Sequence, residues 1–244
     1  MPRIALLSLL VVLLGASVAA FVVTQDLKEQ PSPVGVPRIE PRLIGPTCSC
    51  PTASTALRLR LRRADRVTAR VVDAAGAPVR TLVEGRRYPR GPLELRWDGR
   101  ADDGSVVPDG RYRVELVLAR AGRTILVPTT IRVASTPPQA AIVAVRPPAF
   151  SPDGDGERDK VRVVYRSSER AGAVLSVAAP SLPEAVAVRG RVRPAGRSQL
   201  VWRGHVAGEP LAPGSYVLVL RVRDLAGNVS APARAPVTIE GAGG

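Results

Sequence analysis

The sequence predicts an all-β protein, two tandem antiparallel β-sandwiches behind one N-terminal transmembrane helix. Three observations predict it. A single uncharged apolar run, Ile4 to Val23, opens the chain. Beyond it, apolar and polar residues alternate in short runs broken by Gly and Pro, and helical periodicity is absent. The stretch from Trp97 to Tyr112 recurs, one residue shorter, from Trp202 to Tyr216. An offset of roughly 100 residues is the mark of a duplicated domain rather than of a short-period solenoid.

The apolar run comes first in the chain. At ~1.5 Å rise per residue it reaches about 30 Å, the depth of a bilayer core. Arg3 and the terminal amine precede it, which favours an inside N-terminus. A cleaved signal peptide is the competing reading, with small residues at Ser17/Ala19 or Val18/Ala20 to fit a cleavage site. Against it, the run continues through Phe21, Val22 and Val23. Residues 1–24 are therefore assigned to a transmembrane signal-anchor, and under either reading the rest of the chain lies outside the cytoplasmic membrane. Residues 25–35 are polar and contain Pro31 and Pro33, a composition that favours an extended, semi-rigid spacer. Residues 36–136 and 137–240 are the two sandwiches, joined at Thr136-Pro137-Pro138. Residues 241–244 are a flexible tail.

Within the first sandwich, Leu57, Leu59 and Leu61 alternate with Arg58, Arg60 and Arg62. Strands follow around 67–73, 79–83 and 93–97, and the sandwich ends in Thr124–Val133. The second repeats the series with Val161, Val163 and Tyr165, then 173–178, 185–191 and 199–203, ending in Ala235–Ile239. Strands of this length with frequent turns read as sandwiches, one face of each strand apolar and the other carrying Arg. Asp73 to Gly76 reads as a turn.

The recurring stretch organises each copy. Leu93, Leu95 and Trp97 lead into three Asp-Gly pairs, Asp98-Gly99, Asp103-Gly104 and Asp109-Gly110, and Tyr112 then opens a second alternating strand. Gly takes φ > 0 without steric cost, and a preceding Asp bonds the backbone two residues on, so Asp-Gly signals a tight turn. Trp97, Tyr112, Trp202 and Tyr216 are the expected structural anchors. Truncating a buried Trp typically costs ~3–5 kcal/mol, a large share of a small domain's stability.

These residues resemble a known family. Trp97-Asp98-Gly99, Asp103-Gly104 and Pro108-Asp109-Gly110-Arg111-Tyr112 look like the FlgD-type Ig-like domain. The run Phe150-Ser151-Pro152-Asp153-Gly154-Asp155-Gly156 is similar to the phrase that opens such domains in secreted bacterial proteins. Arg223-Asp224, with Gly227-Asn228-Val229, resembles the end of bacterial extracellular Ig-like repeats. The resemblance implies Ig-like or fibronectin-like sandwiches displayed at a bacterial cell surface. Such domains serve many unrelated exported proteins as accessory modules, so it says little about function.

Two clusters carry chemistry. Asp153, Asp155, Glu157 and Asp159 crowd carboxylates into seven residues, with a spacing like the start of a calcium loop. Ca²⁺ there would offset their mutual repulsion; the alternative is an acidic turn shaped by Asp-Gly geometry alone. Counting back from Leu57 as from Val161, the first copy places Cys48 and Cys50 where the second has these acids. Outside the cytoplasm a Cys48–Cys50 disulfide is one reading. An intermolecular bridge, a soft metal site with too few ligands, and two free thiols are the others.

Catalysis finds little support. His205 is the sole histidine, so a Ser-His-Asp array would rest on it alone, and no second His is available for zinc. Asp102, Asp103, Asp153 and Asp155 sit in turn motifs that already account for them. Nucleic acid is disfavoured because the few aromatic residues are better placed in cores. The formal net charge is +14, almost all from Arg, since Lys28 and Lys160 are the only lysines. That charge would attract anionic polymers such as wall polysaccharide, phospholipid heads or nucleic acid; the alternative is a solvated Arg-rich surface with no dedicated polyanion site.

The expected function is a non-enzymatic structural, adhesion or scaffolding module, tethered by residues 4–23 and binding a protein or a cell-envelope polymer through loops or strand edges. The alternative is an Arg-rich module binding polyanions, either wall polymer or lipid headgroups. A carbohydrate-active enzyme stands third.

Overall fold

A computed structural model describes residues 32–241, and residues 1–31 and 242–244 lie outside that range. The predicted membrane segment Ile4–Val23 therefore lies outside the described residues. Among those described, no helix is long and apolar enough to cross a membrane.

More than half of the described residues are strand and almost none are helical. The first half contains β1 (Arg38–Glu40), β2 (Leu43–Ile44), β3 (Thr55–Leu61), β4 (Asp65–Val72), β5 (Pro78–Tyr88), β6 (Gly91–Trp97), β7 (Gly110–Leu118), β8 (Arg123–Leu126) and β9 (Ile131–Val133). One 3₁₀ turn, Pro51–Ala53, interrupts them. The second half contains β10 (Ala140–Arg146), β11 (Ala149–Phe150), β12 (Val161–Ser167), β13 (Ala171–Ala179), β14 (Leu182–Arg193), β15 (Gly196–Trp202), β16 (His205–Val206), β17 (Glu209–Pro210), β18 (Gly214–Asp224) and β19 (Ala233–Ile239).

Each half is a β-sandwich. In the first, the sheet β1-β3-β6 faces the sheet β2-β9-β7-β4-β5, with β8 added beside β7. In the second, β10-β12-β15 faces β11-β19-β18-β13-β14, the same order strand for strand. In both, the short second strand pairs parallel with the last one, while the longer ladders are antiparallel. Each sandwich has its own core. Leu57, Leu59, Leu61, Val67, Val71, Val114 and Leu116 fill the first. Val161, Val163, Tyr165, Leu175, Leu218 and Leu220 fill the second. The alternation that predicts strands is the alternation of burial: in β3, Leu57, Leu59 and Leu61 point inward and Arg58 and Arg60 outward.

Some boundaries differ from the sequence reading. Pro33 to Gly35, placed in the spacer, already joins the fold. Gly35 N donates to Arg60 O at 2.8 Å, Arg62 N to Pro33 O at 3.0 Å, and Val34 is buried. Thr124–Val133 divides into β8 and β9 around buried Val127. The segment after Trp202, read as a loop, closes as the small β16–β17 hairpin through Ala207 and Gly208, both at positive φ.

Candidate functional site

Trp97 is buried, and its indole N–H donates to Arg100 O at 2.9 Å. Its ring meets Tyr112 edge-on, with centroids 5.3 Å apart, and the Tyr112 hydroxyl donates to Pro108 O at 2.7 Å. The second copy reuses the frame with one exchange. Trp202 donates to His205 O at 2.8 Å and Tyr216 to Ala212 O at 2.7 Å, but the ring against Trp202 is Phe150, at 5.4 Å. Phe150 is fully buried on β11 and supplies the ring that meets Trp202, while Tyr216 is half-buried and packs against the same core. The glycine after each Trp has a steric reason. Gly99 (φ 74°) and Gly204 (φ 76°) lie against Pro46 and Pro152, and a Cβ at Gly204 would come within 2.8 Å of Pro152 Cγ.

The Asp residues of these turns bond backbone. Asp98 accepts from Arg100 N, Asp102 from Thr81 N, and Asp103 from both the amide and the hydroxyl of Ser105. The Ser105 hydroxyl, then its amide, holds the Asp103 carboxyl below the ordinary range. His205 is exposed, its Nδ1 lying 2.7 Å from Arg203 O.

The acidic loop lies between β11 and β12. Asp153, Asp155 and Asp159 each bring a carboxylate oxygen within 4.8 Å of the others, and exposed Glu157 stands outside that group. The loop's own donors turn toward these acids. Gly154 N and Gly156 N donate to the two oxygens of Asp159 at 2.8 and 3.0 Å, and Glu157 N to Asp155 at 2.6 Å. The Asp155 amide and then the Ser151 hydroxyl lower the Asp153 carboxyl. These bonds shape the loop by themselves, and they leave a triad of hard oxygen donors of the type that calcium takes.

The equivalent loop of the first sandwich, between β2 and β3, has a different role. Cys48 and Cys50 are joined in a disulfide. The disulfide turn packs on the Ala226-Gly227 turn that follows β18 in the second sandwich. Ala226 O accepts from the Thr52 hydroxyl at 2.6 Å and lies 3.6 and 3.8 Å from the two sulfurs. Buried Asn228 donates to Ala134 O and to Asp224, both at 2.8 Å, and its Oδ1 accepts from the Thr47 hydroxyl at 3.3 Å. Asp109 holds the connecting segment, accepting from the amides and hydroxyls of both Ser135 and Thr136. Sequence reasoning placed the joint at Thr136-Pro137-Pro138 but missed Thr47, Thr52, Asp109, Gly227 and Asn228. The available signal was the replacement of acids by Cys48 and Cys50 in one copy only.

This geometry defines a class: paired Ig- or fibronectin-like β-sandwiches whose shared features are turns, anchors and a joint. The comparisons narrow it for the first sandwich. Residues 47–122 match the FlgD Ig-like domain family. The basal-body rod modification protein FlgD of Salmonella typhimurium is 34% identical over 76 residues, which is 31% of this chain and 32% of that protein. FlgD of Escherichia coli K12 is 36% identical over 76 residues, with the same shares. The chain thus spans about a third of the length of these relatives. Among solved structures, fibronectin(III)-like modules of Clostridium thermocellum CbhA align over 84% of this chain and 94% of theirs, at 12% identity and a TM-score of 0.41.

Proposed function

We propose that this chain is a membrane-tethered, extracytoplasmic and non-enzymatic scaffolding or adhesion module built of two FlgD-like Ig domains, residues 36–136 and 137–240. The observation that carries this reading is the joint. A disulfide-tied turn, three interdomain side-chain hydrogen bonds and the Asp109 clamp link the sandwiches, as suits a module that holds a partner at a set geometry. Side chains with catalytic potential are meanwhile engaged in turns. The partner is a protein or an envelope polymer. Edge strand β14, at the end of the larger sheet of the second sandwich, offers backbone for strand addition, whereas the start of β5 is covered by Asp102, bonded to Val79 O and Thr81 N.

The test is crosslinking of the full chain on intact cells, with protease added outside. The reading expects cleavage of residues 36–240 by external protease and recovery of one dominant crosslinked partner that is lost when β14 is blocked by Val188→Pro. Complete protection from protease would refute the placement. Calcium belongs to the same reading, with Asp153, Asp155 and Asp159 as its ligands and no role for Glu157. Titration calorimetry of the full chain should show one calcium site that Asp155→Asn abolishes; heat unchanged in that variant would sink this assignment.

A further inference from the structure

The exposed face of the three-stranded sheet β10-β12-β15 carries a concentration of unpaired positive charge. Arg146, Lys160, Arg162 and Arg203 line a cleft of about 630 Å³ whose floor includes Val164 and Gln199. Among the described residues, none of these four cations lies within ion-pair distance of a carboxylate. One acid, Asp159, lines the cleft as well, so the four cations outnumber it. Arg158 pairs with Glu240 at 3.0 Å, and Asp159 takes the amides of Gly154 and Gly156.

The same face of the first sandwich also opposes two arginines, Arg38 across from Arg58, but an acid offsets part of that charge. There Glu94 lies opposite Arg58 across β3 and β6, pairing with it at 2.9 Å and with Arg96 at 2.8 Å. Arg58 and then Arg96 hold the Glu94 carboxyl below its ordinary range. In the second sandwich the corresponding cross-strand pair is Gln199 opposite Val164, and the acid is gone. In its place Arg146 lies directly opposite Arg162, and Arg166 directly opposite Arg197. Like charges directly opposed across strands are destabilising, so without a counter-ion this face disfavours its own fold. An anion laid over it removes that repulsion.

We propose that this face binds a linear phosphate polymer. The donors reach the cleft from separate segments: the end of β10, the loop before β12, β12 itself and the turn after β15. Donors from several directions suit the tetrahedral oxygens of phosphate, whereas a planar carboxylate is met by one guanidinium fork. A polymer fits better than a lone ion because the Arg166–Arg197 pair lies four residues further along β12, ~13 Å at ~3.3 Å per residue. Nucleic acid fits poorly, since Tyr165 of β12 is buried in the core and the face offers no ring for a base. This goes beyond the scaffold reading and is independent of it, because strand-edge capture of a protein uses β14 and not this face.

The experiment is fluorescence anisotropy of the full chain with labelled inorganic polyphosphate over a salt series. Two double variants remove equal charge from exposed positions: Arg162→Gln with Arg203→Gln in the cleft, and Arg38→Gln with Arg60→Gln on the equivalent face of the first sandwich. The cleft pair should weaken binding at least tenfold and flatten the logarithmic salt slope by about two. The control pair should stay within threefold of the parent, and neither variant should lower the melting temperature, since each removes an arginine from a like-charged cross-strand pair. Absence of binding by the parent overturns the proposal, as does equal weakening in the two variants. Polygalacturonate bound as tightly, with the same dependence on Arg162, overturns the phosphate assignment. Equal affinity for single-stranded DNA overturns the exclusion of bases.

Discussion

Replacing Gly227 with Ala tests whether the two sandwiches are held by close fit. Gly227 sits at φ 102°, and an added Cβ would overlap Cys50 Sγ and come within 3.0 Å of Cys48 Sγ and Thr52 Oγ1. A non-glycine residue in this backbone region costs ~1–3 kcal/mol wherever it occurs. The overlap adds a choice between compressing the disulfide turn and opening the joint. Opening loses the hydrogen bonds from Thr52 to Ala226 O, Asn228 to Ala134 O and Thr47 to Asn228. At ~1 kcal/mol net each, that sets a ceiling of about 3 kcal/mol on the joint's resistance.

Gly227→Ala should therefore raise the population of the open joint by up to about a hundredfold. Hydrogen exchange of the full chain reads this directly. Gly45 N, bonded to Thr52 O, and Ala134 N, bonded to Ile44 O, are reporters at the joint. Their exchange should rise steeply while the central strands β4 and β13 hold their protection. Thr52→Val supplies a strain-free comparison, removing one hydroxyl bond and raising the same exchange about fivefold for ~1 kcal/mol. The reasoning fails if exchange at 45–53 moves less than threefold in Gly227→Ala. It fails equally if β13 and β18 lose protection in step, since Gly227 would then act through the core of its own sandwich.

Other consequences can be measured by unfolding and by pH. Phe150→Ala should cost ~3–5 kcal/mol in chemical denaturation, the cost of truncating a buried ring, whereas Tyr216→Phe should cost only about 1 kcal/mol for one lost hydroxyl bond. A cost near ~1 kcal/mol for Phe150→Ala would refute its place at the centre of the core. Gly204→Ala should destabilise the second sandwich, as it meets Pro152 at positive φ; an unchanged melting curve would refute the packing. The joint should also respond to acid in two opposed steps. Burial, and then the Asp224 charge, raises the Glu169 carboxyl, although Arg132 opposes this. Its contribution is complete below its unfolded value and is lost as pH rises through the folded one. For Asp109, burial acts upward but is outweighed by the Ser135 hydroxyl and amide and by Thr136, so its carboxyl is lowered. That contribution is complete above about pH 4 and is lost as pH falls through the folded value. Protection at 134–136 and 139, relative to the unprotected chain at each pH, should thus be greatest in mildly acidic solution and fall below that, and Asp109→Ala should remove the acid limb.

What could be read from sequence was local. Alternation along β3, β4, β7 and β18, the Asp-Gly turns and the Trp–Tyr spacing each lie within a few residues, and each depends on backbone preferences that travel with the residues themselves. The short strands β1, β2 and β11 left little trace, because two or three residues carry no periodicity and their pairing is set by distant partners; the seven residues of β10, apolar up to Arg146, show no apolar–polar alternation. Phe150 looked like part of a turn phrase because its role depends on Trp202, across the core. The joint was illegible for the same reason: Thr52 and Ala226 are far apart in the chain, and neither residue type announces a contact.

The strand order common to the two sandwiches makes these differences interpretable. Where both copies keep a feature, as with the glycine after each Trp lying against a proline two residues beyond β2 or β11, one local steric rule explains both. Where the copies diverge, the fold is unchanged and the change must act elsewhere. The loop before the third strand became a disulfide contact in one sandwich and an acidic turn in the other. The outer face of each small sheet opposes arginines, but Glu94 pairs with Arg58 in one, and Gln199 stands in its place in the other with no acid to pair. A shared scaffold cannot account for charges that its twin partly offsets, so the divergent loop and the divergent sheet face are where this protein's binding chemistry should be sought.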